Sequence, residues 1–113
     1  MSAWAVGLSI VTALAFTAAA AANAFDLGGT AKNFRDWGYP RAWRFITALL
    51  ELAGAAMIVV PQTRPAGVAL LGAVIVGAVA TLVRFRAGWS HLAPALGFGL
   101  LLIAESVSAG WFI

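Results

Sequence analysis

Cysteine is absent from these 113 residues, which removes disulfides, thiolate metal ligands, iron–sulfur ligation and persulfide chemistry from the chain. Histidine occurs once, as His91, so neither two-histidine haem ligation nor a histidine-rich metal site can form within one chain. Charge is scarce too: 10% of the residues are charged and 63% are hydrophobic, with a mean hydropathy of +0.96. A chain this short has too little interior to hide so much apolar surface, which excludes a water-soluble domain. There is no glycine-rich phosphate loop after a strand, no nucleophile elbow and no triad set, so no catalytic residue and no metal ligand is expected. The net charge of +3 would suit nucleic acid in a polar protein, but here seven basic residues are spread among apolar spans. That is a topology pattern, and no nucleic-acid partner is expected.

What is present is a series of four apolar stretches, Trp4 to Phe25, Trp43 to Pro61, Ala66 to Val83 and Ala93 to Ile113. Each approaches the roughly 20 residues that cross a bilayer core as a helix, whereas a barrel strand needs only about 10 alternating residues. The expected class is therefore all-α, a single transmembrane domain over residues 1–113 built as an integral membrane four-helix bundle. Ala18 to Ala22 followed by Asn23 resembles a cleavage region. No basic segment precedes the first stretch, however, and its apolar run exceeds a signal peptide's about 7 to 15 residues, so a retained helix is expected.

The cations orient these stretches. Lys32, Arg35, Arg41 and Arg44 lie in the first connection, Arg84 and Arg86 in the third, and Arg64 alone in the second. The positive-inside rule then places the first and third connections in the cytoplasm and both termini outside it. The first connection interleaves its cations with Phe34, Trp37, Tyr39 and Trp43, and the third adds Phe85, Trp89 and His91. Aromatic rings anchor in the headgroup layer and cations meet phosphates there. Lys32, Arg35, Trp37, Arg41, Trp43, Arg86 and Trp89 are accordingly assigned to the lipid interface, and Trp4 and Trp111 to the same aromatic belts.

Two acidic residues interrupt the apolar stretches, Glu51 in the second and Glu105 in the fourth. An acidic side chain in a helix centre costs about 2.5 to 3.5 kcal/mol on insertion scales and so turns toward the bundle or a cavity. Thr47, Ala48, Gly54 and Ala55 share the Glu51 face at helical spacing, and Ser108 and Ala109 share that of Glu105. Counted from the expected cytoplasmic helix starts, the two carboxyls fall within roughly 5 Å in depth and are expected to share one polar site. A stripe of Ser9, Thr12, Phe16, Ala19 and Asn23 on the first helix faces the same way, Arg84 is expected to reach inward, and Gly67, Gly72 and Gly77 offer close-approach points. The candidate ligand- or proton-binding set is Glu51, Glu105, Ser108, Asn23 and Arg84. The plain alternative is a protonated Glu hydrogen-bonded as structural glue.

The run from Gly29 to Pro61 carries Gly29 and Lys32, then Gly38 and Pro40 within Trp37-Gly38-Tyr39-Pro40, then Glu51, Gly54 and Ala55 within LLELAGAAMIVVP. This order resembles the DoxX-like family of small four-helix bacterial membrane proteins, and the likeness continues loosely through the third stretch. Arg84-Phe85-Arg86 and Glu105 depart from many members. The resemblance implies a bacterial inner membrane location and, for some members, association with membrane-bound oxidoreductase complexes. The expected role is thus an accessory or anchor subunit of a larger, redox- or quinone-linked membrane complex, with a quinone, lipid or proton site near Glu51 and Glu105. Membrane lipids and a larger complex are the expected partners, with a homo-oligomer as a further arrangement. A small proton-coupled transporter and a purely structural packing subunit are the alternatives.

Overall fold

The computed structural model describes residues 3–108, which are all-helical. Four long helices, α1 (Ala3–Ala24), α3 (Trp43–Ile58), α4 (Arg64–Arg84) and α5 (Trp89–Ser108), are accompanied by a short α2 (Thr30–Asp36) that follows a 3-10 turn at Leu27–Gly29. Three of them, α1, α4 and α5, are long and apolar enough to cross a membrane. Helix α3 has 16 residues, a rise of about 24 Å against a hydrocarbon core of about 30 Å. The expected extension of the second helix to Pro61 is not found, because Val60 and Thr63 already bond back as turns to Met57 and Val60. The fourth helix begins at Trp89 rather than Ala93, and Pro94 lies inside it instead of marking its start. The expected extension of that helix past Ser108, with Ala109 and Trp111, lies outside the described residues.

Helix α2 is a feature that the expected open connection did not contain. Asp26 and Gly29 both adopt positive φ, 57° and 78°, and turn the chain back after α1. Asp26 Oδ1 then accepts the Ala31 N–H at 2.8 Å, and Thr30 Oγ1 donates to the Ala22 carbonyl at 3.0 Å, fastening the start of α2 to the end of α1. A Schellman-type closure ends α2, with Gly38 at φ 79°, Gly38 N–H donating to Arg35 O and Tyr39 N–H to Phe34 O.

The long helices form a closed ring in which α1 packs on α3 and α5, and α4 packs on the same two helices. Their shared core is Phe16, Ala55, Ile58, Leu71 and Leu102, with Phe98 set against Phe16 at 5.0 Å between ring centroids. Glycine allows the closest crossing: a Cβ on Gly67 would lie 2.9 Å from Met57 Cβ and Ile58 Cγ2. Outward, the helices present large apolar side chains such as Leu14, Leu49, Val76 and Leu100. Inward they bury Ser9, Thr12, Glu51, Arg64, Thr81, Glu105 and Ser106. A soluble protein distributes these residues the other way round, so the solvent that fits this surface is lipid.

Candidate functional site: an aromatic-roofed pocket over Glu51

Glu51 is 6% exposed on α3, and its Oε1 accepts a hydrogen bond from Asn23 Nδ2 at 2.6 Å. Asn23 is the penultimate residue of α1, in the last turn where carbonyls have no intrahelical partner. Arg44 Nη1 supplies one, donating to Asn23 O and Ala24 O at 2.8 and 3.1 Å. One asparagine is therefore fixed through its backbone by Arg44 and presents its amide to Glu51.

Above this pair lies a cavity of about 460 Å³ whose lining includes Asn33, Trp37, Thr47, Glu51, Thr81 and His91. Its roof is a chain of rings. Trp43 stacks on Tyr39 at 5.6 Å, Tyr39 meets Phe34 at 5.8 Å, Phe34 meets Trp37 at 5.7 Å, and Trp37 meets His91 edge-on at 6.0 Å. Thr81 Oγ1 donates to Gly77 O at 2.8 Å, so its short contact with Tyr39 is made by the Tyr39 hydroxyl donating. That bond ties the α2–α3 connection down onto α4. Leu70, Ala73, Val74 and Ala78 supply the apolar wall on α4. The volume, aromatic faces and few convergent polar groups suit a flat amphiphilic molecule.

Glu105 belongs to a different place. It is 0% exposed, with Ser9 Oγ at 2.8 Å and Arg64 Nε at 3.5 Å from Oε1. Arg64, itself 2% exposed, also donates from Nε to Ile58 O at 2.9 Å, joining the end of α3 to the start of α4. The partners of the two glutamates, Ser9 and Asn23, are separated along α1 by 14 residues, a rise of about 21 Å. The expected shared site is thus corrected to two separate ones. The depth reckoning failed because α5 starts four residues earlier than expected, which moves Glu105 about 6 Å farther from that end.

Asn23 does meet Glu51. Arg84 does not reach inward: it is exposed, with its guanidinium 5.4 Å from the Phe85 ring centroid. Ser108 is half-buried and its side chain makes no hydrogen bond among the described residues, whereas nearby Ser106 is buried and donates from its hydroxyl to Leu102 O at 2.8 Å. Lys32 pairs with Asp36 at 3.5 Å in the open, and Arg35, Arg41, Arg86 and Trp89 are exposed. Trp37 and Trp43, assigned to the interface, line the pocket as well. Of the other residues on the expected inner faces, Ser9, Thr12, Phe16, Ala48, Gly54, Ala55 and Gly67 are buried, but a Cβ on Gly77 would meet nothing within 4 Å. Sequence reasoning missed Arg64, Thr81, the inward role of Tyr39 and the contribution of the exposed His91 to the cavity lining. Among the described residues no three His, Asp or Glu side chains converge as a metal site would require.

Apolar outer faces, polar side chains buried among the helices and a ligand-sized pocket define a helical membrane protein. A family model, the DoxX-like family, matches residues 7–105, and the chain belongs to that family. No curated protein and no solved structure matches it.

Proposed function

We propose that the chain crosses the bacterial inner membrane four times, with both termini outside, and serves as a small subunit that holds a quinone or similar amphiphile in the Glu51 pocket for a larger redox complex. The observation that carries this reading is the pocket itself, a cavity of about 460 Å³ with an aromatic roof and one buried carboxyl in its lining. A quinone ring fits between the rings and the α4 wall, while the side-chain amides of Asn33 and Asn23 offer hydrogen bonds to its oxygens. The small extramembrane mass favours a role beside a partner over independent catalysis. For α3, the apolar residues Val59 and Val60 continue beyond the 16-residue helix toward a full crossing, and Trp43 at its start suits the interface.

Proton-coupled transport has less support, because Phe16 stands midway along α1 between Ser9 and Asn23 and joins Leu71 and Leu102 in an apolar core. That packing offers no polar relay from one glutamate to the other. The test is mild extraction from the native membrane, followed by mass spectrometry of co-purifying proteins and small molecules. A stoichiometric larger subunit and a quinone that is lost in Glu51→Gln are expected. A homodimer carrying neither would overturn the subunit reading.

A further inference from the structure

A second recess, of about 470 Å³, opens beside the α2–α3 connection, and its lining includes Asp26, Phe34, Arg35, Tyr39, Arg41 and Arg44. Three guanidinium groups border it against one carboxylate. That carboxylate is already engaged, since Asp26 Oδ1 accepts the Ala31 N–H at 2.8 Å and lies 3.4 Å from Thr30 Oγ1. Among the described residues the ion pairs are Lys32–Asp36 and Arg64–Glu105, so no acidic side chain neutralises the three arginines. Arg44 is held in place by the two α1 carbonyls, whereas Arg35 and Arg41 are exposed and make no side-chain hydrogen bond or ion pair among the described residues.

We propose that this recess binds the phosphate of an anionic phospholipid headgroup, one lipid per chain, with Arg35 and Arg41 gripping the phosphate and Arg44 completing the positive wall. Guanidinium forks match phosphate oxygens in pairs, which an ammonium cannot do. The surplus of positive charge favours an anionic headgroup over a zwitterionic one, whose own ammonium would be brought into the same recess. A lipid is favoured over a soluble phosphate ester by what lies next to the arginines. The Arg44 guanidinium sits 4.1 Å over the Phe45 ring, and from Phe45 an exposed apolar line continues down α3 through Leu49 and Leu52. That helical spacing gives an acyl chain a track directly below the phosphate. Phe34 and Tyr39 line both this recess and the Glu51 pocket, so a seated lipid braces their common wall. The inference rests on the membrane reading but not on any occupant of the Glu51 pocket.

The experiment is native mass spectrometry of the full chain released from nanodiscs of phosphatidylglycerol mixed with phosphatidylcholine. Wild type is expected to retain one phosphatidylglycerol. The double variant R35Q/R41Q is expected to retain it about thirtyfold less, from the loss of two charges near the membrane surface. A second variant, R35K/R41K, keeps the charges that set topology and is expected to lose retention partially, because the paired hydrogen bonds are gone. Circular dichroism checks that each variant keeps its helices. Equal retention of both lipids by wild type, unchanged retention in R35Q/R41Q, or release of the lipid by millimolar inorganic phosphate would each overturn the proposal. Extraction of the chain without detergent would instead defeat the membrane reading, a different failure.

Discussion

Gly54 is the point where the packing of α3 on α4 is most easily put to a number. A Cβ there would fall inside contact distance of both Cγ and Cδ2 of Leu71, a fully buried member of the core that also holds Phe16, Ala55, Ile58 and Leu102. Because Cγ as well as the methyl is struck, Leu71 must change rotamer in a filled space or the helices must separate. Overpacking of this kind costs about 1 to 3 kcal/mol, while replacing glycine by alanine inside a helix returns up to about 1 kcal/mol. Gly54→Ala is therefore expected to be destabilised by about 1 to 2 kcal/mol. Gly97→Ala is the control, since a Cβ on Gly97 meets nothing within 4 Å on the exposed side of α5, and it should be neutral or slightly stabilised. The assay is unfolding by denaturing detergent, followed by loss of helicity in a mild-detergent background. If Gly54→Ala proves as stable as Gly97→Ala, the tight α3–α4 crossing is wrong.

Removing one partner of a buried ion pair costs about 3 to 5 kcal/mol, so Arg64→Leu and Glu105→Leu are each expected to fall by this order. The double variant should be less damaged than their sum, as a double-mutant cycle would read. Arg86 occupies the left-handed region at φ 52° just after α4, with Ala87 N–H donating to Leu82 O. Arg86→Gly is expected to raise stability by about 1 kcal/mol in the same unfolding assay. The absence of cysteine makes labelling unambiguous: a single cysteine at Gln62 should react with an impermeant maleimide on intact cells, and one at Lys32 only after permeabilisation.

Helical class and the four long segments were legible because uninterrupted apolar stretches of that length have few other solutions. The inward turn of Glu51 and Glu105 was legible from the small residues at helical spacing beside each. Helix α2 was not, since Phe34, Trp37 and the cations read as an interfacial connection, and its boundaries depend on backbone φ at Asp26 and Gly29. Arg64 was hidden for a different reason. On its own it reads as a topology charge in a tight turn, and its burial depends on Glu105, 41 residues away in the sequence. The pocket was half-visible: Glu51 and Asn23 were in the expected set, but Tyr39 and Thr81 come together only through tertiary packing.

The two tryptophans of the pocket, Trp37 and Trp43, are reporters of its occupancy. Fluorescence of the full chain in nanodiscs would be titrated with a short-chain quinone, comparing wild type with Glu51→Gln and Trp37→Phe. Saturable quenching at one quinone per chain is expected in wild type, with affinity lowered in Glu51→Gln and amplitude lowered in Trp37→Phe. Linear, unsaturable quenching that is the same in wild type and Glu51→Gln would mean that the quinone merely dissolves in the lipid, and would contradict a binding site over Glu51.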